Sequence, residues 1–213
     1  MAKIILSSCD FRNSDSAKYI YDNLPCPVDQ CKVLYFPNEK ATEEAIKSIK
    51  FYQRLSEFGF SKENIYVFNY FSPAEFDVNT HIDVIYISGG NTFGTLKRIK
   101  ESRAEKVILD CLSRGAMYIG GSAGAHIASR SIQHVAKYDV DTCGLTDFSG
   151  LCLFDGILIC HYSDLREKEV FMLYVLSYCG RVAPPWDDYL CEWGVIILAR
   201  YIKSFAVFLP CAS

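Results

Sequence analysis

Two kinds of apolar pattern alternate along the chain. Lys3 to Ser8, Lys32 to Phe36, Ile65 to Phe68 and Asp83 to Ser88 are short apolar runs, as expected of strands covered on both faces. Between them apolar positions recur at helical spacing. Ser14 to Leu24 is a short helix stopped by Pro25, and Ala41 to Phe58 places Ala45, Ile46, Ile49, Tyr52 and Leu55 on one face before Gly59 closes it. Thr92 to Leu112 is helical, in one or two pieces, and ends at Gly115. Ala116 to Ile119 is a further strand, and small residues then lead into a helix near Ile127 and Ala128. Strands alternating with helices predict an α/β fold, a mostly parallel sheet with helices on both faces, whose sites lie beyond the carboxyl ends of the strands.

The second half is less regular. Ser129 to Gly150 has few periodic positions and reads as a long loop over the site, the kind that is usually functional. Leu151 to His161 is apolar and ends in Cys160-His161-Tyr162. Leu165 to Tyr178 can be helical, Val182 to Pro185 and Tyr189 to Ile197 read as late strands, and Tyr201 to Leu209 is another apolar run. No repeat, low-complexity tract or linker divides residues 1–213, so one domain is expected.

Composition narrows the function classes. Half the residues are apolar, the net charge is −3 and there is no basic block, so nothing points to nucleic acid or an acidic membrane. No apolar run reaches the length of a membrane span, and the opening Met1 to Leu6 is too short for a signal peptide and reads as a first strand. The ten cysteines form no C-x-x-C pair, so reduced, mostly buried thiols in a cytoplasmic protein are expected. Metal-ligand spacing is absent, and no cofactor is expected.

The chemistry gathers at Gly120-Gly121-Ser122-Ala123-Gly124, a G-x-S-x-G pattern between a strand and a helix. Such a turn lifts the serine hydroxyl clear of the sheet, and a side chain at either flanking glycine would strike a neighbouring element. Serine needs a base. Of four histidines, His81 precedes a strand in a polar stretch, His126 points along the helix, and His134 lies in the polar loop. His161 follows an apolar run, at the strand end where Ser122 should stand, and is the best base. Asp139, Asp141, Asp147 and Asp155 all precede it, and spacing does not choose which orients it. A second glycine turn, Ser88-Gly89-Gly90-Asn91-Thr92, follows the fourth strand, with Asn91 or Thr92 as helix cap. The Gly90 and Ala123 N–H groups can form a two-donor oxyanion hole.

Ile87-Ser88-Gly89-Gly90-Asn91-Thr92-Phe93, then Gly115 through Ala125, then Leu153-Phe154 with His161-Tyr162, resemble the dipeptidase E (aspartyl dipeptidase) serine peptidases over about residues 1 to 170. The resemblance implies a class I glutamine-amidotransferase-like fold, a flavodoxin-like three-layer sandwich. It also implies a triad of Ser122, Asp139 and His161, with Asp141 as the alternative acid, and an oxyanion hole at Gly90 and Ala123. Three departures stand out. The family often carries tryptophan or glutamate before the serine, where this chain has Gly121, and proline before the histidine, where it has Cys160. The family's substrate-binding arginine is matched only loosely, by Arg166.

The expected function is hydrolysis of small peptides, dipeptides with N-terminal aspartate foremost, with Ser122 attacking, His161 carrying the proton and Asp139 orienting it. Arg166 and Asn91 are the candidate substrate contacts. The expected partner is a small peptide alone, and the chain is read as a monomer or homodimer. An alternative is an inactive relative that binds a small acidic ligand or a partner protein. A thiol amidotransferase of the same fold would need cysteine where Ser122 stands.

Overall fold

The fold is that of a computed structural model, which describes residues 3–137, 139–153, 155–160, 190–191, 195–201 and 206–209. Its first half runs β1 (Ile4–Ser7), α1 (Ser14–Asn23), β2 (Val33–Phe36), α2 (Glu43–Lys47), α3 (Lys50–Glu57), β3 (Ile65–Val67), β4 (Val84–Ile87), α4 (Thr92–Glu101), α5 (Ala104–Ser113), β5 (Met117–Gly121) and α6 (Ala123–Ile127). Then follow β6 (Asp155–Ile159), β7 (Leu190–Cys191), β8 (Val195–Tyr201) and β9 (Ala206–Leu209).

The main sheet has the order β3-β2-β4-β5-β1-β9, and all its pairings are parallel. Every residue of β1, β2, β4 and β5 is buried, which is why these strands read as unbroken apolar runs. Tyr35, Tyr86 and Tyr118 are among the largest fully buried side chains. Tyr118 contributes more than bulk, because its hydroxyl donates to the Gly124 carbonyl at 2.6 Å and ties β5 to α6. The architecture is the three-layer α/β fold that the alternation of elements predicts.

Both long helical stretches are broken. The first splits at Ser48, whose extended backbone (ψ 165°) ends α2, which Thr42 caps by accepting from the Ala45 N–H at 3.1 Å. The second splits at Arg103, which is left-handed (φ 58°) between α4 and α5. The apolar run after the loop becomes β6, which pairs antiparallel with β8 in a separate sheet of order β6-β8-β7.

The cysteines depart from expectation at Cys9, which is disulfide-bonded. It lies half-buried in the turn after β1, not inside an apolar run. Cys26, Cys31, Cys111, Cys143, Cys152 and Cys160 are free thiols, with Cys152 exposed. No helix among the described residues is long and apolar enough to cross a membrane.

Register sets the site. Ser7 stands opposite Gly121, and Ile87 opposite Gly120, so β1, β4 and β5 end level with one another. The turns that follow them therefore meet at one place on the sheet's carboxyl edge.

Candidate active site

Ser122 occupies the tip of the β5–α6 turn with φ 47° and ψ −103°, a backbone conformation rare for a residue with a side chain. Holding it costs on the order of 1–3 kcal/mol, so the surroundings must impose it. They do so through hydrogen bonds and close packing. The Ser122 N–H donates to the Ser7 carbonyl at 2.8 Å, and the Ser122 carbonyl accepts from the His126 N–H at 3.0 Å. A Cβ on Gly120 would lie 2.7 Å from the Gly124 backbone, and one on Gly124 would lie 2.1 Å from the Ile87 carbonyl oxygen. Both flanking glycines of the pattern are therefore required by contact of α6 with β5 and β4.

Ser122 lines a cleft of about 530 Å³ together with Gly90, Asn91, Thr92, His126, Asp139 and Glu39. The N-terminus of α4 organises one wall. The Asn91 side chain caps the helix, accepting from the Gly94 N–H at 2.9 Å. The Asn91 N–H donates to Glu39 Oε2 at 2.9 Å, and the Thr92 N–H to Asp139 Oδ2 at 2.8 Å. Asp139 Oδ1 accepts from Asn91 Nδ2 at 2.6 Å, so the carboxylate is fixed at both oxygens. Carboxylates suit this end of a helix, where N–H groups lack intrahelical partners.

The other aspartates behave differently. Asp141 closes its own turn, accepting from the N–H groups of Cys143, Gly144 and Leu145, which hold its carboxyl below the usual range. Asp147 pairs with Lys100 at 2.5 Å and with Ser149. Asp155 opens β6. Among the described side chains, Asp139 is the aspartate of this set that lines the cleft with Ser122. His161 and Arg166, the expected base and substrate arginine, lie outside the described residues.

His126 lines the cleft but is committed to structure. Its Nε2 accepts from the Cys160 N–H at 3.3 Å, which leaves the ring proton on Nδ1, 3.4 Å from Thr92 Oγ1. A proline at position 160 would have no N–H to give, so the departure at Cys160 is matched by the histidine that uses it. His134 packs edge-on against His126 at 5.8 Å and donates through Nε2 to the Leu158 carbonyl at 2.8 Å. Burial pushes the His134 imidazole down to about 4. His81 is exposed and pairs with Asp83 at 3.0 Å, a surface role as expected.

The departure at Gly121 also has a partner. A Cβ there would lie 2.0 Å from Oδ2 of Asp10, a fully buried carboxylate in the turn after β1. Sequence reasoning passed over Asp10 and its neighbour Arg12. The signal available was a charged pair at the carboxyl end of a strand, the edge where sites form. Among the described residues no group of three His, Cys, Asp or Glu side chains is arranged to hold a metal ion.

The model of peptidase family S51 matches residues 4–181. An uncharacterized peptidase of Listeria innocua serovar 6a is 31% identical over 159 residues, covering 68% of this chain and 71% of that protein. Peptidase E of Escherichia coli O1:K1 is 43% identical over 104 residues, 45% of this chain and 44% of that protein. A crystal structure from Listeria monocytogenes EGD-e, assigned to peptidase E, superposes with a TM-score of 0.59 at 26% identity, covering 82% of this chain and 86% of its own. A further Listeria monocytogenes peptidase matches over 49% of its length, so the chain spans about half the length of several curated relatives it matches. The family match takes in both glycine turns, the Asp139 loop and β6, and on that extent the chain belongs to peptidase family S51.

Proposed function

We propose that this chain is a serine peptidase that hydrolyses small peptides, with dipeptides bearing N-terminal aspartate as the preferred class. The observation that carries this reading is Ser122, held at φ 47° on a strand–turn–helix and sharing its cleft with a doubly anchored Asp139. Similarity to peptidase E of Escherichia coli and to the Listeria monocytogenes structure supports it. In this mechanism Ser122 Oγ forms a bond to the scissile carbonyl carbon while His161 takes its proton. The oxyanion accepts from the Gly90 and Ala123 N–H groups. The C–N bond then breaks as His161 returns the proton to the leaving amine, and water releases the acyl group by the same route. Asp139 orients His161. The roles of His161 and Arg166 rest on the family match, which spans both positions.

The test is fluorophosphonate labelling beside hydrolysis of Asp-Leu. The expected result is label on Ser122 in the wild type, none on Ser122→Ala, and a loss of turnover in that variant of several orders of magnitude. Wild-type protein that takes no label overturns the reading. Label without turnover of any dipeptide would favour a binding protein that keeps the fold.

A further inference from the structure

The turn after β1 holds a charged pair that the proposed mechanism does not use. Asp10 has φ 49°, is 0% exposed, and receives Arg12 Nε at 3.1 Å on one oxygen and Nη2 at 3.3 Å on the other. Tyr86, itself buried, adds a side-chain hydrogen bond to the same carboxyl. Desolvation raises the Asp10 carboxyl, and Arg12 opposes that shift. Glycine at 121 leaves the room this carboxylate occupies.

Arg12 itself is not buried. Its side chain stays 52% exposed while its partner has no exposure at all. Its Nη2 lies 3.1 Å from the point where a Cβ on Gly89 would stand, and Ser122 Cβ lies 3.3 Å from that same point. Gly89 follows β4 and Arg12 follows β1, with β5 between them in the sheet. The guanidinium therefore reaches across the nucleophile turn and is a neighbour of the serine. Two of its N–H donors go to Asp10, and a guanidinium has five.

We propose that Arg12 forms a carboxylate-binding site beside Ser122, occupied by a carboxylate of the peptide substrate; this rests on the serine-peptidase reading above. An acidic N-terminal side chain and a free C-terminus each carry a carboxylate within a few bonds of the scissile carbonyl. A guanidinium already braced by Asp10 meets such a group with little rotamer freedom left to lose, and its planar fork suits two oxygens. Arg12 is a specificity-determining residue in this account, and Asp10 positions it.

Three probes separate the sources of the carboxylate. Asp-p-nitroanilide carries only the side-chain carboxylate, Ala-Leu only the C-terminal one, and Ala-p-nitroanilide neither. The variants are Arg12→Lys, which keeps a charge for Asp10 but loses the fork, and Asp10→Asn/Arg12→Met, which leaves no unpaired buried charge. In both, kcat/KM for one carboxylate probe relative to Ala-p-nitroanilide is expected to fall about tenfold or more, carried by a rise in KM. The probe that responds names the carboxylate. Equal change on all three probes, no change on any, or a selective rise in KM seen only in Arg166→Met overturns the proposal. Ser122 labelling by a neutral fluorophosphonate is followed throughout. A labelled wild type with unaltered selectivity in the variants refutes the Arg12 site alone, whereas an unlabelled wild type refutes the peptidase reading beneath it.

Discussion

On the α4 side of Ser122, carboxylates rest on amide N–H groups; on the β1 side, one rests on a guanidinium. Asp139 and Glu39 are half-buried and take the N–H groups of Thr92 and Asn91, together with the Asn91 side chain. Asp10 is fully buried and takes Arg12. Amide donors are neutral and fixed by the helix, so they orient a carboxylate without adding a mobile charge. A guanidinium brings a full charge with donors to spare, and it carries that charge to the neighbourhood of Ser122. One wall suits holding catalytic groups still, and the other suits meeting an anionic ligand.

The largest expected effect breaks the α4 wall. Asp139→Asn should lower kcat on the order of 10⁴-fold, as loss of an orienting acid does, while Asp141→Asn, whose oxygens serve their own turn, should leave kcat within a few-fold. Steady-state rates on Asp-Leu decide it, and the reverse pattern would move the triad acid to Asp141.

The next breaks the β1 wall. Gly121→Ala forces a methyl against the Asp10 carboxylate and should cost about 2–4 kcal/mol in urea unfolding. Adding Asp10→Ser should recover part of that loss. Purely additive costs in the double-mutant cycle would show that the two positions do not touch.

Acid should separate the walls. His134, packed on His126 behind the α4 side, has a folded pKa near 4 against an ordinary value of 6.5. The unfolded chain then binds the proton more readily. Stability from this group is complete above pH 6.5, falls as pH drops toward 4, and changes by up to about 3 kcal/mol over that window. His134→Gln should flatten that slope in Tm against pH, and an unaltered slope would refute the assignment. The smallest effect is expected at Asn91→Ala, where loss of the α4 cap should cost about 1 kcal/mol in thermal melts.

Much of the main sheet is legible in the chain, because strands buried on both faces leave continuous apolar runs. The G-x-S-x-G turn is legible because its glycines answer to contacts at a fixed spacing. The pattern allows Thr92 to Leu112 to come in two pieces, but the position of the break at Arg103 is not legible, since a left-handed arginine leaves no compositional mark. Nor is the separate antiparallel sheet, because the run that forms β6 looks the same whichever sheet it joins. Asp10 and Arg12 escape for a different reason. Their importance depends on the register that sets Ser7 opposite Gly121, more than a hundred residues away in the chain. The same holds for the His126–Cys160 bond, which joins a helix to a strand end.

The overlap between Asp10 and a side chain at 121 restricts the order in which this site can change. A mutation that restores a tryptophan or glutamate before the serine, while Asp10 stays, meets an occupied space. A mutation that removes Asp10 first leaves Arg12 without its brace but opens the position. Only the second order avoids the steric clash, so the identity of residue 10 acts as a gate on evolution at residue 121. Directed evolution of this chain should therefore randomise both positions together, since libraries built on position 121 alone would return glycine.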